Sequence, residues 1–271
     1  QEARLIESIT QLQAYQQQLE QNRSDNAQAL ALTRYDGTRV HRGLYPNPGA
    51  PTFGGFDQMT AIVGGVWDTL LASGRRFWIT ATSDSHVNLR DGGRDFDPGE
   101  YSKTYVLARP DAEDLLDGMR EGRMFAVTGD LIDALELTVR STRGPSRSAS
   151  MGGALQVSDG EVLQVDLRVR QRARPNASGE QPSLDHVELI FGETVHDAPP
   201  RMTVKRIGAG DLKREGEWLA TSWKVEAPPQ GGFVRVRGTN SSDVAPSADV
   251  AGEDPWKDLW FYSNPVFLQA R

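Results

Sequence analysis

The spacing of apolar residues is helical in the N-terminal part of the chain. Apolar residues recur three and four positions apart over residues 2–22, which predicts an amphipathic helix. Residues 25–55 are rich in Gly and Pro and are predicted to be mostly loop. A short helix is predicted over residues 65–73, with Gly74 just past its end. The apolar stripe of the first helix consists of Leu5, Ile6, Ile9, Leu12, Tyr15 and Leu19.

A strand–helix–strand pattern comes next. Residues 76–82 form a near-continuous apolar run, which is typical of a strand covered on both faces, as in parallel sheets. Residues 101–108 predict a second strand and residues 123–129 a third. Between them lies a predicted helix that Asp111 can cap and that Gly122 ends. This alternation of strands and a helix predicts an α/β segment.

The pattern changes to strict alternation of apolar and polar residues in the second half. Six or seven such strands are separated by Gly, Pro, Ser and Asn, which predicts an antiparallel β-sandwich. The polar linker at residues 140–153 places a boundary between a domain of residues 1–140 and a domain of residues 150–271. In the clearest strand Leu163, Val165, Leu167 and Val169 share one face.

Aromatic residues cluster near the C-terminus. They predict a final strand that seals the sandwich against the α/β segment, because aromatic strand residues are usually core. A carbohydrate-binding platform is the alternative interpretation. The cluster consists of Trp256, Trp260, Phe261, Tyr262 and Phe267.

Composition narrows the class of protein. The chain has 271 residues, of which 38% are hydrophobic, enough for a sizeable core. The net charge of −7 argues against nucleic acid or an anionic membrane surface as the main partner. There is no cysteine, which excludes disulfides, thiolate metal sites and cysteine nucleophiles. No signal peptide is visible after Gln1, which leaves open a mature form, a proteolytic piece or a chain whose natural protein has further residues upstream.

Candidate chemistry begins where the apolar run of residues 76–82 ends, in the sequence Ser-Asp-Ser-His. Residues two apart on an extended strand share a face, so Asp84 and His86 would present a carboxylate and an imidazole together. That pair suits a divalent metal such as Zn, Mn or Fe. The spacing alone is more typical of a capping Asp followed by a surface His.

The surrounding sequence resembles a known family. The stretch "GGVWDTLLASGRRFWITATSDSHVNLRDGGRDFDPGEYSKTYVLA" is similar to the C-terminal part of a PHP (polymerase and histidinol phosphatase) domain, in the carbaryl-hydrolase-like branch of bacterial phosphoesterases. The similarity covers residues 52–129, and "LWFYSNPVFL" resembles the strand that closes the accessory β domain of that branch. The resemblance implies that Asp84 and His86 bind metal. It also implies that the first part of this chain is the end of a PHP-type α/β barrel.

Further site residues follow from the same comparison. His41 in "RVHRGLY" corresponds to a loop His that joins the metal cluster in such proteins, although an ordinary solvated loop His is the alternative. Arg90 and Lys103 are candidates to bind a substrate phosphate, or else to pair with the acids of their own loop. That loop, residues 90–101, is read as a solvated turn rather than as a lid or a calcium loop, because it lacks EF-hand spacing.

The chain departs from the family in one respect that matters for function. No H-x-H motif occurs, and the remaining histidines, His186 and His196, are interpreted as structural or solvent-facing. We therefore expect Asp84 and His86 to be half of a metal site whose other half lies outside this chain. An N-terminal fragment of the same protein or a second copy of the chain is expected to cover the surface left open.

The predicted activity is a metal-dependent hydrolase that uses a metal-activated water. A small-molecule phosphoester is the expected substrate, and a carboxylester or carbamate is the alternative within the same chemistry. A different class of protein also fits, namely a non-catalytic binding module made of a remnant α/β segment and a β-sandwich. No serine-hydrolase, Walker or dinucleotide-binding motif is present.

Overall fold

A computed structural model describes residues 52–83, 96, 98–143, 147–195, 199–249 and 254–271. The predicted helix over residues 2–22 lies outside these ranges. The helices are α1 (Gln58–Ala61), α2 (Val66–Ala72) and α3 (Ala112–Arg120), with 3₁₀-helices at Ala209–Asp211 and Pro255–Lys257. The strands are β1 (Ser102–Val106), β2 (Met124–Thr128), β3 (Ala134–Ser141), β4 (Ser148–Ser150), β5 (Ala154–Val157), β6 (Val162–Arg170), β7 (His186–Glu193), β8 (Met202–Gly208), β9 (Lys213–Glu215), β10 (Trp218–Glu226), β11 (Gly232–Thr239), β12 (Trp260–Ser263) and β13 (Val266–Ala270).

These strands form two sheets. The larger sheet runs β1-β2-β12-β11-β13-β5, and β7 and β8 extend it from β11. The smaller sheet runs β4-β3-β6-β10-β9. All described pairs are antiparallel except β13 with β5. Apolar side chains of the two sheets share one buried cluster, so the predicted antiparallel β-sandwich is confirmed.

The alternation in β6 shows how sequence sets this packing. Leu163, Val165, Leu167 and Val169 are at most 1% exposed, while the polar residues between them are only partly buried. Successive side chains of a strand point to opposite faces, so the four apolar residues turn together towards the larger sheet. The face predicted from the sequence is therefore the core face.

A third layer covers the other face of the larger sheet. Helix α2 contributes Trp67 and Leu71 to a second buried cluster, which also contains Phe56 and Ile79. The strands contribute aromatic residues to the same cluster, so both faces of β11 and β12 are covered and all their residues are buried. The aromatic sealing role predicted for the C-terminal strand is confirmed. The strand residues of this cluster include Phe233, Trp260, Tyr262 and Phe267.

The two predicted helices that fall within the described residues match the structure closely. Helix α2 is followed by Gly74 at φ +80°, the left-handed conformation expected past a helix end. Helix α3 begins after Asp111, whose carboxylate accepts a hydrogen bond from the backbone N–H of Asp114. Gly122 follows it at φ +72°, where an added Cβ would lie 2.4 Å from the ring of Trp78. A glycine is thus required there for both conformation and space.

Strands β1 and β2 differ from the parallel arrangement that the α/β pattern predicts. They pair with each other in antiparallel fashion, with Thr104 opposite Ala126. Strand β2 also pairs with β12, where Ala126 lies opposite Tyr262. Strands from both sides of the predicted boundary at residues 140–150 therefore lie in one sheet. Among the described residues, no helix is long and apolar enough to cross a membrane.

The prediction that residues 76–82 form a strand is wrong. The segment is extended, but it belongs to neither sheet. Ile79 lies in the third-layer cluster and Trp78 and Ala81 pack against it, whereas Phe77 is exposed. Side chains supply hydrogen bonds that a strand ladder would give. A continuous apolar run thus requires neither strand pairing nor burial on both faces.

Candidate functional site

The two predicted metal ligands, Asp84 and His86, lie just outside the described residues. His41 and Arg90 lie outside them as well. The structure does describe the segment that leads to the Asp–His pair, residues 75–83, together with Lys103. It therefore shows how the chain is held up to Ser83, the residue before the first predicted ligand.

The centre of this segment is held by Asn264, which lies between β12 and β13. Its side-chain oxygen accepts a hydrogen bond from the backbone N–H of Ile79 at 2.9 Å, and its amide nitrogen donates to the carbonyl of Ile79 at 3.3 Å. Asn264 is fully buried and Ile79 is 7% exposed. One amide side chain thus satisfies both backbone groups of a buried residue, as a neighbouring strand would.

Three more side chains anchor the segment on either side of Ile79. The hydroxyl of Thr104 on β1 accepts from the N–H of Ala81 at 2.8 Å and donates to its carbonyl at 3.0 Å. The indole of Trp67 donates to the carbonyl of Phe77, and the indole of Trp78 donates to the carbonyl of Arg120. The backbone leading to the predicted ligands is therefore fixed to helix α2, the end of α3, strand β1 and the β12–β13 turn.

A metal would require ligands beyond those that the structure describes. Within the described ranges, no group of three or more His, Asp or Glu side chains is arranged to hold a metal ion. The carboxylate and imidazole donors of the Asp–His pair suit a divalent metal, and they directly follow a segment with a fixed backbone. The donor atoms of the Asp–His pair and the fixed segment before it fit a metal site. The full set of ligands of that site remains a prediction.

Lys103, predicted to bind a substrate phosphate, is engaged with an acid instead. Its ammonium nitrogen lies 2.5 Å from both carboxylate oxygens of Asp130. Arg172 donates to the same carboxylate, and the hydroxyl of Tyr105 lies 3.3 Å from it. The partner belongs to the turn after β2 and not to the loop of residues 90–101. A role of Lys103 in substrate binding stays a prediction.

The sequence reasoning missed Asp130 itself. Its side chain is only 2% exposed, and its backbone has φ +54°, which is unusual for a residue with a Cβ. Such backbone strain of about 1–3 kcal/mol is found where surrounding contacts compel it. Two cations and a phenol surround this one carboxylate. The dipeptide Gly129–Asp130 after an apolar strand marks a turn in the sequence, but it carries no sign of those distant partners.

The same cluster perturbs the ionisation of Tyr105. Burial, together with the neighbouring charge of Asp130, raises the pKa of the Tyr105 hydroxyl to about 12. The phenol therefore stays protonated and can donate to Asp130 throughout the physiological range. It is a fixed hydrogen-bond donor of the cluster.

His186 is a buried structural residue. Its ring is 2% exposed, its Nδ1 lies 2.7 Å from the carboxylate of Asp185, and its edge faces the ring of Trp260. Burial lowers the pKa of the His186 imidazole below its usual value, although Asp185 opposes this shift. Of the two alternatives predicted for His186, structural or solvent-facing, the structural one holds, because both faces of β7 are covered there. His196 lies outside the described residues.

Comparison with known proteins adds no relative, since no family model matches the chain and no curated protein matches it.

Proposed function

We propose that this chain is part of a metal-dependent hydrolase of the PHP type, with a phosphoester as substrate. The observation that carries the proposal is the side-chain-anchored segment of residues 75–83, which is buried at Ile79 and ends directly before the Asp-x-His pair. A site that must hold a metal needs ligands on a rigid support, and Asn264 and Thr104 provide one without a strand ladder. The resemblance of the motifs to PHP domains supports the same activity and the same origin for the α/β segment.

The roles proposed for the residues follow from their chemistry. Asp84 would bind metal through its carboxylate and His86 through one ring nitrogen, with His41 as a third ligand. A divalent metal bound there supplies an activated water and polarises the ester oxygen. Arg90 and Lys103 would contact the phosphate, and Lys103 would then share its ammonium group between substrate and Asp130.

Metal binding by the purified chain tests the ligand assignment. Titration calorimetry with Mn²⁺ and Zn²⁺ is expected to show the weak binding of a half-site, which Asp84→Asn and His86→Gln each reduce by at least about tenfold, since losing even an outer-shell partner of a ligand costs about 10–100-fold. The matched controls Asp97→Asn and His196→Gln make the same chemical changes elsewhere in the chain. Equal affinity in all four variants would remove Asp84 and His86 from the site.

Hydrolysis of bis(p-nitrophenyl) phosphate and of p-nitrophenyl acetate then separates the two candidate classes of function. Metal-dependent turnover that is lost in Asp84→Asn supports the hydrolase, and the preferred ester identifies the substrate class. Metal binding without turnover of either ester favours the alternative, a binding module that keeps a metal for structure.

A further inference from the structure

A polar groove lies at one end of the sandwich. It has a volume of about 580 Å³ and is lined by the end of β6, the loop after it, and the start of β10. Its charged residues are Arg170, Arg172, Arg214, Asp133 and Glu217. This volume falls within the range of about 300–1,000 Å³ that is usual for small-molecule sites.

Two of the arginines are held in place by carboxylates, one that lines the groove and one buried beside it. The Nε of Arg170 donates to Asp133 at 2.7 Å. Arg172 donates to the buried carboxylate of Asp130, and its backbone carbonyl accepts from the side-chain amide of Gln181. A guanidinium group carries five N–H donors, so each arginine keeps donors for a further acceptor while its position stays fixed. The strained backbone of Asp130 serves to place its carboxylate where it orients Arg172.

The third arginine, Arg214 on β9, is different. It is exposed, and within the described part of the chain its side chain has no ion-pair or hydrogen-bond partner. The groove thus carries three positive and two negative lining residues, in a chain whose net charge is −7. A local excess of positive charge, with one guanidinium unpaired, favours an anion at this place.

We propose that this groove binds a small anion that carries a phosphate or carboxylate group. The unpaired guanidinium of Arg214 donates hydrogen bonds to the anionic group, and the remaining N–H donors of Arg172 and Arg170 complete the coordination of that group. Gln181 and Ser183 add neutral polar contacts, and Leu219 offers apolar surface to the rest of the ligand. The proposal depends on neither the metal nor the hydrolase activity.

The test is a calorimetric titration of the full chain with inorganic phosphate and, separately, with succinate. Arg214→Gln is expected to weaken binding of the preferred anion by about tenfold, because a hydrogen bond to a charged group is lost. Arg174→Gln is the matched control, since Arg174 is also exposed and lies on the loop after β6 but does not line the groove. It removes the same charge and is expected to change the affinity by less than about twofold.

A second variant distinguishes recognition by the planar guanidinium group, with its paired N–H donors, from attraction by positive charge alone. Arg172→Lys keeps the positive charge and the pair with Asp130, and is expected to weaken binding because the planar fork is lost. Binding to phosphate alone, or to succinate alone, supports the proposal and names the anion. Equal losses in Arg214→Gln and Arg174→Gln would overturn it in favour of net charge, and so would no binding of either anion by the unmodified chain.

Discussion

Buried charges on β11 join the third layer of the molecule to its sheet. Arg235 is fully buried, and its guanidinium donates two hydrogen bonds of 2.7 Å to the carboxylate of Asp68 on α2, which is also fully buried. The same guanidinium lies 4.7 Å from the centre of the Trp67 ring. Two residues further along β11, Arg237 donates to Glu188 and to the carbonyl of Ala61. A buried charge is not solvated by water and must be paired. These contacts therefore fix the positions of α1 and α2 on the sheet.

The pair between Asp68 and Arg235 gives the first prediction at the residue scale. Asp68→Asn leaves a buried guanidinium without its counter-charge and is expected to lower the free energy of unfolding by about 3–5 kcal/mol. Urea denaturation measures the loss. The control is Asp117→Asn, whose ion pair with Arg120 is exposed and whose effect is expected to stay within about 0.5 kcal/mol.

A double replacement shows whether charge or packing matters there. Asp68→Leu together with Arg235→Met removes both charges and fills the space with apolar groups, which is expected to restore most of the lost stability. If Asp68→Asn proves no more costly than Asp117→Asn, the pair is not desolvated as the structure has it.

Residue-level burial on β11 could not be read from the sequence. The alternating pattern of "GGFVRVRG" predicts one apolar face and one solvated face, and Val234 and Val236 do face the sandwich core. Arg235 and Arg237 occupy the other face, which α1 and α2 cover. Periodicity reports which residues share a face, but a partner such as Asp68, 167 residues away, is set by tertiary contact alone.

At the scale of elements, the segment of residues 75–83 shows how side chains can replace strand pairing. A lone extended segment would leave its backbone groups unsatisfied beside an apolar cluster. Asn264 and Thr104 each bond both the N–H and the carbonyl of one residue of the segment. The segment therefore depends on those two side chains more than a strand in a sheet depends on any one residue.

The corresponding prediction concerns Asn264. Asn264→Ala leaves the N–H and carbonyl of Ile79 without hydrogen-bond partners and is expected to lower the free energy of unfolding by about 2–6 kcal/mol, since each buried unsatisfied group costs about 1–3 kcal/mol. Amide hydrogen exchange at Ile79 is expected to accelerate more than exchange at Val165 in β6, because the segment opens locally before the sandwich does. Gln269→Ala removes only an exposed amide contact with Gln156, so the exchange rates at Ile79 and at Val165 should both stay unchanged. Equal acceleration at the two amides would show that the segment has no independent anchoring.

The surroundings of the segment of residues 75–83 show which features of the candidate site could be predicted from the sequence and which could not. Helix α2, the cap of α3 and the apolar run before Ser83 follow from local patterns, because caps and periodicity act over a few residues. The antiparallel pairing of β1 with β2 does not, because strand–helix–strand order is also typical of parallel units. The contact of Lys103 with Asp130 joins residues 27 apart and could not be foreseen from either one.

At the scale of the whole molecule, the sequence boundary at residues 140–150 crosses a continuous sheet. Strand β2 pairs with β12 across it, where Val127 lies opposite Phe261. The hydroxyl of Thr128 donates to the carbonyl of Trp260 and accepts from its N–H. Independent domains share few contacts across their boundary, whereas here one sheet and one buried cluster contain residues from both sides.

We therefore predict that the described parts of the chain unfold in one cooperative transition. If the chain on one side of the predicted boundary unfolded alone, the edge of β12 and the aromatic residues of the third layer would be exposed to water. Unfolding of either side alone is therefore unfavourable. Hydrogen exchange with mass spectrometry across a urea series provides the measurement. Peptides from residues 98–129 and from residues 154–195 are expected to lose protection at the same midpoint. If residues 98–129 lose protection at a clearly lower urea concentration, the two-domain division holds, and the pairing of β2 with β12 contributes little to the stability of the sandwich.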